Sequence, residues 1–149
     1  MGSGVVASGT GSTKTITISG GGGGLQSRAT ANASTSSIAN AAAANITINA
    51  AKTYALQKIQ TSAAAWVTVY TDTTSRTNDA SRGETTDPTP GSGVIAEVIT
   101  SGATTQILSP GVIGYNNDGT PSSNVYLKVV NKSGSTQAIT VTLHYLQLE

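Results

Sequence analysis

The chain contains no cysteine and no phenylalanine, a single tryptophan and five tyrosines, and only 10% of its residues are charged. Without cysteine there is no disulfide, no thiolate nucleophile and no thiolate metal site, and thiol usage says nothing about redox compartment. The scarcity of large aromatics leaves a dense core to be built from Val, Ile and Leu, which cluster after about residue 46. Ordinary globular proteins carry roughly 25% charged residues, so this surface must be covered by hydroxyls and amides, or by other protein chains. Eight basic against seven acidic residues give a net charge of +1, which excludes the broad positive field that a nucleic-acid partner requires. No apolar run approaches the ~20 residues of a membrane-spanning helix, and the opening MGSGVVASGTGS lacks the basic and apolar regions of a secretory signal. Neither nucleic acid nor a membrane is expected as a partner.

A length of 149 residues suits one domain, yet residues 1–45 are a different material from the rest. Scattered glycines, the run Gly20 to Gly24 and an Ala/Asn/Ser/Thr stretch from Ala29 to Asn45 have the composition of a linker. Thr15, Ile16, Thr17 and Ile18 form the one strand candidate there, and Ala41 to Ala44 are too few for a helix, being extended or one turn at most. The apolar side chains of this segment are nearly limited to Val5, Val6, Ile16, Ile18, Leu25 and Ile38, so it cannot build a core of its own. Ordering it costs roughly 1–2 kcal/mol of backbone entropy per residue, which must be offset by edge pairing or area buried elsewhere. Residues 1–45 therefore read as an N-terminal assembly arm, with Thr15 to Ser19 expected to pair as a strand and the arm to touch another subunit.

From residue 46 to 149 the period of two that marks strands recurs between Gly, Pro and Asn punctuation. Val67 and Val69 alternate with Trp66 and Tyr70 in a run apolar on both faces, expected to be central or under a loop. Tyr54 and Leu56 share one face but Ile59 falls on the other, which predicts a bulge or twist near Lys58. Thr104 to Leu108 reads as a short strand stopped by Ser109-Pro110-Gly111, with Val112 to Tyr115 following. The last stretch, Asn124 to Glu149, is expected to be a β-hairpin turning through Asn131-Lys132-Ser133-Gly134-Ser135. About eight short strands at this spacing predict an all-β fold, an antiparallel β-sandwich or jelly roll with an extended N-terminal arm. Its core should include Val67, Val69, Val98, Ile139, Val141 and Leu143.

Candidate chemistry concentrates in residues 72–92, where Asp72, Arg76, Asp79, Arg82, Glu84 and Asp87 make six of the chain's fifteen charged residues (eight basic plus seven acidic). A loop of about twenty residues without secondary structure is either functional or ordered by its own bonds. Its residue order fits no calcium loop, and two arginines would oppose a cation, so Arg76 and Arg82 are expected to pair with Asp79, Glu84 or Asp87 as a structural staple. His144 has no second His and no Cys beside it, and GxSxG does not occur. The residues thus indicate no catalytic site, metal site or cofactor. Tyr54, Trp66, Tyr70, Tyr115, Tyr126 and Tyr145 are the whole aromatic stock, and aromatics in strands are more often core than a sugar platform.

The stretches YALQKIQTSAAAWVTVYTDTTSRTNDASR, DPTPGSGVIAEVIT, ILSPGVIGYNND and VYLKVVNKSGSTQAITVTLHYLQLE are similar to a β-rich segment recurring in virion structural proteins of tailed phages from marine and freshwater cyanobacterial environments. The resemblance spans about residues 52–149 and carries over no catalytic residue. It implies a non-enzymatic component of a virion, with other virion proteins and copies of itself as partners. A capsid decoration or cement protein, or a tail-appendage component, fits that implication. The rival reading is a carbohydrate-binding module that recognises host surface glycans, and a third is a glycan-cleaving enzyme using the carboxylates of residues 72–87.

Overall fold

In a computed structural model of the chain, residues 5–8, 15–18 and 27–149 are described, the first two segments by backbone alone. The elements in chain order are β1 (Val5–Ser8), β2 (Thr15–Ile18), β3 (Arg28–Ser34), β4 (Ala43–Asn49), β5 (Thr53–Thr61), β6 (Ala65–Tyr70), α1 (Thr73–Asn78), β7 (Val94–Ile99), β8 (Thr104–Tyr115), β9 (Asn124–Asn131) and β10 (Thr140–Gln147). β1 and β2 pair antiparallel, with Val5 opposite Ile18 and Ser8 opposite Thr15. The other eight strands form two four-stranded antiparallel sheets, β3-β10-β5-β8 and β4-β9-β6-β7.

One shared core joins the sheets in a sandwich-like arrangement. From the first sheet come Leu56, Ile59, Val141, Leu143 and Tyr145, and from the second Ile46, Ile48, Val67, Val69, Val98, Val125, Leu127 and Val129. All six core residues expected from the alternation are buried. β6 is buried at every position, because it lies centrally between β9 and β7 and its second face is covered by the chain that follows it. The bulge foreseen near Lys58 is present: His144 lies opposite Lys58, but the next residue, Tyr145, lies opposite Leu56. Gln57 is the extra residue, so Leu56 and Ile59 both reach the core although they are three positions apart.

Three expectations are corrected. The last two strands are not a hairpin: β9 pairs with β4 and β6, whereas β10 pairs with β3 and β5. Each thus has both backbone edges occupied in its own sheet, and residues 132–139 carry the chain across the core. Buried Asn131 holds that crossing. Its amide donates to the carbonyls of Ile38 (2.8 Å) and Ser135 (2.7 Å), and its Oδ1 accepts from the Ser133 amide. Gly134 supplies a φ of 81° at the loop tip.

The sheets also begin at Arg28 rather than at residue 46. β3 is an edge strand running antiparallel to β10 from Arg28 opposite Leu146 to Ser34 opposite Thr140, and its Ala29, Ala31 and Ala33 pack against the core. Residues 35–42 connect it to β4: Ile38 bridges to Gln137, and a turn follows in which the Ala42 amide donates to the Ala39 carbonyl and Ala41 sits at φ 65°. The division into an arm of 1–45 and a domain of 46–149 therefore gives way to a sheet domain of 28–149. Finally, Pro110 does not stop its strand. β8 runs through it because β8 is an edge, where a missing N–H costs no sheet bond. Ile107 lies opposite Lys58 and Val112 opposite Leu56, so residues 108–111 stand against Gln57 alone.

Candidate functional site

The charged segment after β6 folds back over the outer face of the second sheet. Asp72 begins it as the N-cap of α1, its Oδ1 accepting from the Ser75 amide at 2.7 Å, which places a short helix where a loop was expected. Its Oδ2 accepts from the Thr71 hydroxyl (2.9 Å), the Ser75 hydroxyl (3.0 Å) and the Asn117 amide (3.4 Å). Burial alone would raise the Asp72 carboxyl, but these donors outweigh it and hold the group below its ordinary value.

At the helix C-cap, Asp79 sits at the centre of a buried ionic cluster. Arg82 Nε reaches both its carboxylate oxygens (2.8 and 3.0 Å), and the Tyr70 hydroxyl donates at 2.7 Å. The far side of the Arg82 guanidinium donates to Glu97 Oε2 at 2.5 Å, an oxygen that also accepts from Thr68. Lys128 donates to the Asp79 carbonyl at 2.9 Å and lies 3.9 Å from the Asp79 carboxylate. The side chains of Arg82, Asp79 and Lys128 are only 6%, 7% and 4% exposed. Two cations and two carboxylates thus balance one another. Below them lies Trp66, with Arg82 at 5.2 Å and Lys128 at 4.5 Å from its ring centroid.

Each charge responds to this packing. Burial would raise Asp79, yet the hydrogen bonds from Arg82 and Tyr70 lower it overall. Burial would lower Arg82, yet Asp79 and Glu97 hold its proton more tightly than usual. Lys128 is lowered, chiefly by burial and only partly offset by Asp79. Tyr70 is raised by burial and by the Asp79 carboxylate beside it.

The remaining residues of the segment take separate places. Arg76 pairs with no carboxylate: its Nη1 donates to the Ile46 carbonyl at 2.9 Å, and its guanidinium lies 5.3 Å from the Tyr126 ring centroid. Glu84 pairs with Lys132 from the β9–β10 crossing. Asp87 has no ion pair among the described residues. Of the five residues expected in the staple, the structure brings together Arg82 and Asp79. Sequence reasoning missed Glu97, Lys128 and Tyr70, although Glu97 and Lys128 each stand as the one charge inside an apolar strand, VIAEVI and NVYLKVVN. A lone charge in a buried strand needs a partner, and that was the available signal.

Chemically the cluster is a clasp. Asp72, Asp79 and Glu97 already accept from neighbours in the chain, which leaves none of them in the exposed geometry of a proton donor or nucleophile. Among the described residues, no group of three or more His, Asp and Glu is placed to hold a metal ion. Of the assembly residues, Thr15, Ile16, Thr17 and Ile18 form β2, whose partner is β1 of the same chain, while Ser19 lies outside the described residues. Fold and site together define an all-β protein of two four-stranded antiparallel sheets with a charged segment clasped over one of them. Comparison with protein-family models, with curated proteins and with solved structures finds no match to this chain.

Proposed function

We propose that this protein is a non-enzymatic structural subunit of a tailed-phage virion, a small multi-copy exterior or joining component such as a capsid decoration protein or a tail-appendage domain. The similarity of residues 52–149 to virion structural proteins supports that class. The fold supports it too. Strands β3 to β10 lie in the orders β3-β10-β5-β8 and β4-β9-β6-β7, and every link between them except β6 to β7 crosses from one sheet to the other. That order matches the two Greek keys of a jelly roll, an architecture frequent in viral coat domains, and supports that reading.

The observation that carries the assembly reading is the open flank formed by edge strands β7 and β8. Ile99, Ile107, Ile113 and Tyr115 are each at least half exposed there, and among the described residues Leu148 is the one other large apolar side chain so exposed. Exposed aliphatics beside an unpaired strand edge suit a protein neighbour. The N-terminal segment precedes β3, an outer edge of the first sheet, and an adjoining subunit is its proposed partner.

Because β3 and β4 belong to the sheets, the test removes residues 1–26 rather than 1–45. The full chain should sediment as a multimer, or bind purified particles. The form lacking residues 1–26 should keep its β-rich circular dichroism but lose that association. A full chain that stays monomeric at high micromolar concentration and is absent from purified particles would sink the proposal.

A further inference from the structure

The two outer faces of the molecule differ in charge. Six of the seven carboxylates, Asp72, Asp79, Glu84, Asp87, Glu97 and Asp118, lie on the second sheet or in loops outside the strands of the first. The first sheet's outer face carries Arg28, Lys58 and His144, and the seventh carboxylate, Glu149, follows β10 near Lys52. Residues 1–26 contain no Asp or Glu, and neither Arg28 nor Lys58 is within ion-pair distance of any carboxylate.

Register and bulge bring the three basic residues together. His144 of β10 lies opposite Thr30 of β3 on one side and Lys58 of β5 on the other, and Arg28 is two residues from Thr30 on the same face of β3. The bulge places Gln57 and Lys58 consecutively between two core residues, opening a depression of about 130 Å³ lined by Arg28, Ala29, Thr30, Gln57, Lys58 and His144. Bulges of this kind re-aim side chains and recur beside binding sites. Around the depression the same face shows the hydrogen-bonding side chains of Asn32, Gln60, Thr140 and Thr142, with the exposed Ile107 opposite Lys58 and no aromatic beside it.

We infer that this depression is a binding site for the anionic group of an acidic polysaccharide, a carboxylate or sulfate ester borne on a sugar. The guanidinium and ammonium would take the anionic oxygens, and the surrounding hydroxyls and amides match the hydroxyls of adjoining sugar rings. A neutral glycan would lack an aromatic platform here. A nucleic acid would need a longer positive track and stacking side chains, and the face has neither. This inference rests on the sheet-domain geometry alone and stands or falls apart from the assembly reading.

The test titrates the full chain calorimetrically with an oligogalacturonate, a heparin-derived sulfated oligosaccharide, a neutral dextran of equal length and a single-stranded oligonucleotide. At least one of the two acidic oligosaccharides should bind, the pair showing whether carboxylate or sulfate is preferred, and binding should weaken as salt rises. Arg28→Ala with Lys58→Ala should weaken it about tenfold or more, with unchanged circular dichroism, while Lys132→Ala on the other side leaves it intact. Lys58→Gln, which keeps the side-chain stem and is less disturbing to the bulge, should weaken it in the same direction. Equal affinity in the Arg28/Lys58 variants, dextran binding as tightly as the acidic sugars, tighter binding of the oligonucleotide, or no acidic sugar binding at millimolar concentration would each overturn the assignment.

Discussion

Arg82→Met isolates the clasp's contribution to stability. Methionine keeps an unbranched stem over Trp66 but removes the guanidinium, leaving Asp79 buried with only Tyr70 and Lys128 to stabilise its charge. Taking one partner from a buried pair costs ~3–5 kcal/mol, because the other charge stays desolvated. The Arg82–Asp79 side chains, 6% and 7% exposed, are in that regime. The Glu97 end, at 25% exposed, is partly screened and adds little. For a chain of this length, each kcal/mol shifts the melting midpoint by about 2–4 °C, so the expected loss is about 6–20 °C. Lys132→Ala is the internal control. It breaks the Glu84 pair, whose side chains are about a third exposed, and such pairs contribute ~0–1 kcal/mol. Trp66 is the chain's single tryptophan, so its emission in urea reports the site directly. If Arg82→Met proved no more damaging than Lys132→Ala, the cluster would not be holding the segment down.

The other expectations follow the same geometry. Leu127→Ala, at a fully buried position facing both sheets' side chains, should cost ~2–5 kcal/mol in urea unfolding; a loss below ~1 kcal/mol would contradict the shared core. Gly93→Ala should destabilise by ~1–3 kcal/mol or more, since φ is 77° and a Cβ would lie 2.2 Å from Ser75 Oγ, and a neutral outcome by thermal melting would mean the segment's return to β7 is not packed this way. Asp72 and Asp79 are both lowered in the folded state, so around pH 4, the ordinary carboxylate range, the folded chain binds fewer protons than the unfolded one. Their stabilisation is present above that range and is lost as pH falls through their lower folded values. The urea midpoint should drop below about pH 4 and drop less in Asp79→Asn; an equal fall in that variant would assign the acid sensitivity elsewhere.

Strand existence and facing were determined by the sequence itself. Alternation is a local property, and once one face of a strand is apolar its side chains must turn inward whichever strand lies beside it. That is why Val67, Val69, Val98, Ile139, Val141 and Leu143 were legible as core, and why the one-residue mismatch between Leu56 and Ile59 showed the bulge that shapes the basic depression. RATANAS was equally regular, but its inward residues are alanines, whose small area and weak strand preference gave no local reason to separate β3 from the linker-like composition around it. Tertiary structure alone decided the pairing of strands. The runs on either side of Ser-Gly-Ser are each compatible with a hairpin, but β9 and β10 gain more by sitting centrally in opposite sheets, with both edges hydrogen-bonded and their apolar faces meeting across the core. It also decided the clasp, because Asp79, Arg82, Glu97 and Lys128 are up to 49 residues apart and meet only when the segment folds back across a sheet already formed. Charge partners at that separation leave no periodic trace in a single sequence, since nothing local constrains them.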